Sequence, residues 1–111
     1  MHINREDLAW AAGFFDGEGS TLLTKNHGKY YARLSVTQCH QEVLQKFQRI
    51  VNLGQIAGPH VMKQSQRKDM YYWYVCGFEQ TQAVIAFLWE WLGTEKREQA
   101  KRVLALHGTR Y

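Results

Sequence analysis

The chain has 111 residues, 45% hydrophobic and 22% charged, a composition that fills a core and excludes a disordered tail. It is expected to fold as one domain over residues 1–111, with no membrane partner, no signal peptide and no bilayer span, since no apolar run approaches the roughly 18 residues a span needs. A formal net charge of +4 suits a nucleic-acid partner and disfavours an acidic one.

Asn4 is placed to cap a first helix, with Asp7 three residues on as in a capping box and Ile3 and Leu8 as a hydrophobic staple. That helix is expected over 5–15, stopped by Gly17 and Gly19. Strands follow at 20–26 and 30–38 around a turn at Asn26-His27-Gly28. In the second run Leu34 and Val36 alternate with Arg33, Ser35 and Thr37, which makes one face apolar and leaves the other wet or ligand-facing. Val43, Leu44, Phe47, Ile50, Val51 and Leu53 recur at helical spacing, so a second helix is expected over 41–53, closed by Gly54. A strand pair is expected at 55–63 and 69–76, joined by the polar loop 64–68. Pro59 confines the first of these to an edge or marks a bulge. A third helix is expected over 79–92 and a last one over 95–107, capped by Thr94. The order α-β-β-α-β-β-α-α describes an α+β domain of two hairpins and packing helices.

Charge is unevenly spread. Residues 24–68 hold eight Lys or Arg and one acid, Glu42, a balance of +7, whereas the first 20 hold four acids against Arg5, a balance of −3. This pattern describes a polyanion-binding surface beside a carboxylate site, or plain solvated helix faces. Cys39 and Cys76 stand far apart with no His/Cys cluster, which argues against a zinc knuckle or a disulfide scaffold and for a reducing, intracellular compartment.

Leu8 to Phe15 (LAWAAGFF) carries no charged group, and a helix apolar all round must be buried all round. So small a domain covers one side of it more easily than both. Ala9, Ala12, Gly13 and Asp16 fall on one stripe, small enough for another helix to approach closely. Leu8, Trp10, Phe14 and Phe15 oppose that stripe and suit the chain's own core. The expectation is a two-fold homodimer with Ala9, Ala12, Gly13 and Asp16 at the interface; the alternative is a central helix in a monomer. Asp16-Gly17-Glu18-Gly19 follows at once. Two copies of this segment beside a two-fold axis would repel unless a cation lay between their carboxylates, and hard divalent cations take such oxygens. The two glycines are expected to turn the backbone sharply there. The plainer alternative is a helix stop with acidic decoration.

Residues 11–19 (AAGFFDGEG) resemble the LAGLIDADG signature of homing endonucleases, and the likeness runs along essentially the whole chain. LSVTQ (34–38), YYWYVCG (71–77) and KREQA (96–100) resemble the family's second strand, fourth strand and last-helix start. The resemblance implies an αββαββα(α) fold with an antiparallel β saddle packed on helices. With one motif per chain, it implies a homodimer that makes double-strand breaks in a long, near-palindromic DNA site. The implied cofactor is Mg2+, with Mn2+ able to substitute, and no organic cofactor. Glu18 would bind the metal and Asp16 would be structural. Gln38 would lie near the attacking water, and Lys96 would be a peripheral base that stabilises charge or tunes the solvent network. Glu18, Gln38 and Lys96 are thus the implied catalytic set. Glu42 stands where some members carry Arg, a departure that bears on cleavage. The second reading is a cleavage-deficient DNA- or RNA-binding descendant, a regulator or intron maturase. A third, an interaction protein without nucleic acid, fits the +7 stretch poorly.

By alternation Ser20, Leu22, Thr24 and Asn26 share one sheet face, as do Tyr31, Arg33, Ser35 and Thr37. Trp73 and Val75 suit the core, which turns Tyr72 and Tyr74 outward. In a DNA-reading role Arg33 suits guanine, the hydroxyls suit several base edges, and Leu22 suits a thymine methyl. Lys25, Lys29, Lys63, Arg67 and Lys68 lie near turns, where phosphate contacts are expected. The face of the third strand stays open, because a bulge at Pro59 would shift its register.

Overall fold

Asn4 caps helix α1 (Arg5–Glu18): its Oδ1 accepts the Glu6 N–H at 2.8 Å, which satisfies one of the donors a helix start leaves unpaired. The computed structural model describes residues 4–60 and 69–111, so Ile3, the expected staple partner, lies outside the described residues. Helix α1 runs three residues past its expected end. Gly17 stays helical, and the chain leaves the helix only at Gly19, whose N–H bonds Phe15 O. The sharp turn expected at Gly17 and Gly19 is absent, for neither takes a left-handed φ. Glycine is required at 19 for packing instead, since a Cβ there would clash with one edge of the Phe15 ring.

Strands β1 (Gly19–Asn26) and β2 (Lys29–Gln38) pair antiparallel, with Asn26 opposite Lys29. Positive φ at both His27 (50°) and Gly28 (80°) gives the two-residue turn whose twist matches a hairpin. Helix α2 (Gln41–Val51) ends at Asn52, in the left-handed region at φ 57°, and not at Gly54. Gly54 answers a different need. Its φ is +94°, and a Cβ would strike the Trp73 indole, whose Nε1 donates to Leu53 O at 2.8 Å. We expect Gly54→Ala to cost about 2–4 kcal/mol through backbone strain and overpacking together. Gly28→Ala, left-handed but with open space around it, should cost only the backbone part, about 1 kcal/mol. Urea midpoints of the two variants measure the difference.

Strands β3 (Gln55–His60) and β4 (Met70–Cys76) complete an antiparallel sheet of order β1-β2-β4-β3. β3 is an edge strand, and its register shifts between Ala57 and His60, around a proline with no N–H to donate. Its expected continuation to residue 63 lies outside the described residues. Helix α3 (Phe78–Leu88) gives way to a 3-10 turn, Trp89–Trp91, instead of continuing to 92. Helix α4 (Thr94–Leu106) has Gly93, not Thr94, at its N-cap.

The buried face of the sheet carries Leu34, Val36, Trp73 and Val75 against Phe15, Leu44, Phe47, Val84 and Leu88 of the first three helices. Phe47 is the hub: it meets Trp73 edge-on at 4.7 Å and Phe14 and Phe15 at 5.6 and 6.4 Å between ring centres. Leu8, Trp10 and Phe14 are only partly buried against this core. The segment after α4 then fills the edge of β2 that β4 does not reach. Tyr30 N–H donates to Thr109 O at 2.9 Å, Gly108 N–H to Tyr30 O at 2.7 Å, and Ala32 N–H to His107 Nδ1 at 2.9 Å. No helix among the described residues is long and apolar enough to cross a membrane.

Candidate nucleic-acid interface and carboxylate site

The second face of the sheet is exposed or half-buried along its length. Pairing sets its residues in rows. Thr24 lies beside Tyr31; Leu22 beside Arg33 and Cys76; Ser20 beside Ser35, Tyr74 and Gln55; Thr37 beside Tyr72 and Ala57. Asn26 stands at the hairpin tip. The alternation read from the sequence therefore places all ten expected strand residues on this face, with Leu22 43% exposed. β3, which sequence left open, contributes Gln55 and Ala57. Lys25 and Lys29 flank the turn, both exposed, with the Lys25 ammonium 5.1 Å from the Tyr111 ring centre. Lys63, Arg67 and Lys68 lie outside the described residues. Lys46 rests over Trp10 of α1 at 4.0 Å.

At one end of this face the chain passes from α1 into β1 through Glu18, whose side chain is exposed. Gly19 pairs with Val36, and β2 runs two residues further to Gln38, so Glu18 and Gln38 share that end of the sheet. Lys96 joins them: its Nζ donates to Gly19 O at 2.6 Å. Two further bonds tie the segment to α4. Asp16 Oδ1 accepts the Gly93 N–H at 2.8 Å, and Gln99 Oε1 accepts the Thr21 N–H at 3.0 Å. Gly93, Lys96 and Gln99 are spaced by three along α4, and β1 is an edge strand whose outer backbone groups need partners. Helix α4 supplies them at Gly19 O and Thr21 N–H, while Asp16 sets a carboxylate at that helix's N-terminus, where the dipole favours it. Gln99 was missed by sequence reasoning; its signal is its place in KREQA, three residues after Lys96. We expect Asp16→Ala to cost about 1–3 kcal/mol, and Asp16→Asn, which keeps an acceptor, appreciably less. Denaturant unfolding of the two variants is the check.

Among the described residues no group of three or more His, Cys, Asp or Glu is gathered to hold a metal. Glu18 offers hard oxygens of the kind a divalent ion takes, while the Asp16 carboxylate faces α4. A metal at Glu18 would therefore find no second carboxylate from Asp16, and its other oxygens would come from carbonyl groups, water or a partner.

The outward stripe of α1 also differs from expectation. Ala12 is 0% exposed and belongs to the core, so it is not available to an interface. At 100° per residue it lies toward Leu8 and Phe15, whereas Gly13 lies away from them. The stripe that faces out is Glu6, half-buried Ala9, Gly13 and Gly17, and among the described residues nothing lies within 4 Å of where a Cβ at Gly13 or Gly17 would stand. Asp16 is half-buried beside it.

A family model described as the LAGLIDADG-like domain matches residues 5–88. The chain belongs to that family. The LAGLIDADG-like motif of these 111 residues lies at 11–19. No curated protein matches by sequence. Solved structures of the family resemble it closely in fold. One is the homing endonuclease I-CvuI in complex with the I-CreI target, in the presence of 2 mM Mg and with the DNA not cleaved. It is 26% identical with a TM-score of 0.69, covering 92% of this chain and 68% of that one. A second is the group I intron-encoded homing endonuclease I-CeuI complexed with DNA, 17% identical with a TM-score of 0.73, covering 95% of this chain and 55% of that one. A third is the archaeal intron-encoded I-Vdi141I, also complexed with DNA, 21% identical with a TM-score of 0.62, covering 85% of this chain and 62% of that one. The last two are likenesses of fold. In this LAGLIDADG-like chain the motif's first residues are core, its middle glycine faces outward, and its last acid stands exposed at the end of the open sheet.

Proposed function

We propose that this LAGLIDADG-like chain acts as one unit over residues 1–111, and that two copies form an intracellular, metal-dependent endonuclease that cuts both strands of a near-palindromic DNA site. The observation that carries this reading is the exposed Glu18 carboxylate at the end of an uncovered, polar four-stranded face. The face is long enough to follow a groove, and its hydroxyl, amide and guanidinium groups suit base edges. Lys25 and Lys29 at the hairpin tip suit phosphates. I-CvuI held DNA in the presence of Mg in one structure and Ca in another, which favours a divalent cation here. Glu18 extends an outward carboxylate at that end; a second copy meeting the chain along Ala9, Gly13 and Gly17 would bring its own Glu18 beside it.

In this reading Glu18 supplies oxygens to the ion, and Gln38 orients water at the scissile phosphate. A divalent ion held by Glu18 would supply activation of that water and neutralisation of charge on the phosphate. Lys96 fixes the Gly19 carbonyl, so its charge acts beside Glu18 and holds that residue's backbone in place. Glu42, exposed in the first turn of α2, favours a second reading. Where some members carry Arg, it sets negative charge near the DNA, as in a descendant that binds without cutting.

A selection on a randomised, partly palindromic duplex library tests both, with Mg2+ and Ca2+ in parallel. The expected result is one symmetric site cut only with Mg2+. A site bound under both conditions and cut under neither would favour the second reading, with Glu42→Arg as the first reversion.

A further inference from the structure

Among the described residues Arg33 is the only charged side chain in the middle rows of the open face. It lies opposite Cys76, yet its guanidinium leans one diagonal step to Tyr74, 5.1 Å from the ring centre. Its Nε is buried and has no hydrogen-bond partner among the described residues. The two Nη groups are then the edge Arg33 offers outward. Tyr74 is itself fixed, for its hydroxyl donates to Gln55 Oε1 at 3.0 Å. That bond occupies the carbonyl side of an exposed amide and leaves its two N–H donors outward. The three side chains thus form a line across β2, β4 and β3 whose uncommitted N–H groups, on Arg33 Nη and Gln55 Nε2, are donors.

Guanine carries two acceptors, N7 and O6, on its major-groove edge, spaced for the fork of an arginine. A guanidinium already laid on an aromatic face loses little freedom when it makes that pair. We propose that Arg33, Tyr74 and Gln55 are one preorganised reading unit: Arg33 takes a single guanine in each half-site through its Nη groups, Gln55 donates to an acceptor on a nearby base pair, and Tyr74 is the positioning residue for both. This rests on the DNA-binding reading above. It adds a residue of β3 and a defined base to that reading, and it does not depend on cleavage.

The test is a binding selection with the full chain in Ca2+, comparing wild type with Arg33→Ala, Arg33→Gln, Tyr74→Phe and Gln55→Ala, each first checked for an unchanged unfolding midpoint. Wild type should recover a fixed guanine with its symmetry mate. Both Arg33 variants should lose preference at that pair by about 10-fold or more and keep the other positions. Gln55→Ala should relax a second pair alone. Tyr74→Phe keeps the ring and loses the hydroxyl, so it should relax that same second pair and retain the guanine. Arg33 variants that select the same guanine would overturn the inference while leaving the reading intact. So would a uniform loss of affinity, with a salt slope smaller by about one, which marks a phosphate contact. A wild-type chain that selects no duplex site would overturn the reading itself, and the inference with it.

Discussion

Glu18→Gln is expected to abolish cleavage while leaving DNA affinity within a few-fold of wild type. The substitution keeps the size and polarity of the side chain and removes the charge that would hold a divalent ion. Ion-assisted charge stabilisation contributes several kcal/mol to such hydrolysis, and each 1.36 kcal/mol is a factor of ten, so a loss of about three orders of magnitude is expected. Fold and affinity should survive because the Glu18 side chain is exposed, and the backbone around it is held from Asp16, Gly19 and Thr21 by α4. Single-turnover cleavage and a binding titration in Ca2+ measure the two quantities on one preparation. Cutting at the wild-type rate would remove Glu18 from the chemistry.

Gly13→Leu is expected to convert a dimer to a folded monomer. Within one chain this position tolerates a side chain: its neighbourhood is open, its backbone is helical, and leucine is the better helix former by roughly 0.5–1 kcal/mol. The variant should therefore unfold no more easily than wild type as a monomer. Between two copies of α1 the same side chain would hold the helices apart, since close approach depends on small residues at the crossing. Sedimentation should give the monomer mass for the variant and twice that mass for wild type, and cleavage should fall with dimerisation. A wild-type chain that sediments as a monomer, or an unchanged dimer mass in the variant, would move the interface elsewhere.

What was legible in the chain was local. Strand alternation needs only the two-residue period, so it placed Ser20, Leu22, Thr24 and Asn26, and Tyr31, Arg33, Ser35 and Thr37, on the open face before any partner was known. The turn at His27-Gly28 was legible because two successive positive φ values favour such residues. Glycine was the least reliable sign, since it answers several different needs. At 54 it was read as a helix stop, which Asn52 performs, while its own role is to clear Trp73. At 19 it was read as a turn, and its role is to clear Phe15. The α1 stripe was misjudged at Ala12 because alanine carries no mark of the side it faces, and one residue of offset moves a position by 100° around the helix.

The sequence by itself determined the element order, the apolar and polar faces of the hairpin strands, and the motif that marks the family, because each depends on residues within one or two turns or strand periods. Tertiary structure alone decided how the carboxylate end is held. Asp16 meets Gly93 across 77 positions, Gly19 meets Lys96 across 77, and Thr21 meets Gln99 across 78. It also decided that Arg33 lies on Tyr74, and that residues after α4 complete the edge of β2. Nothing local distinguishes these side chains from solvated ones. Their partners are fixed by which helix comes to lie along which strand edge, and packing of the whole core sets that.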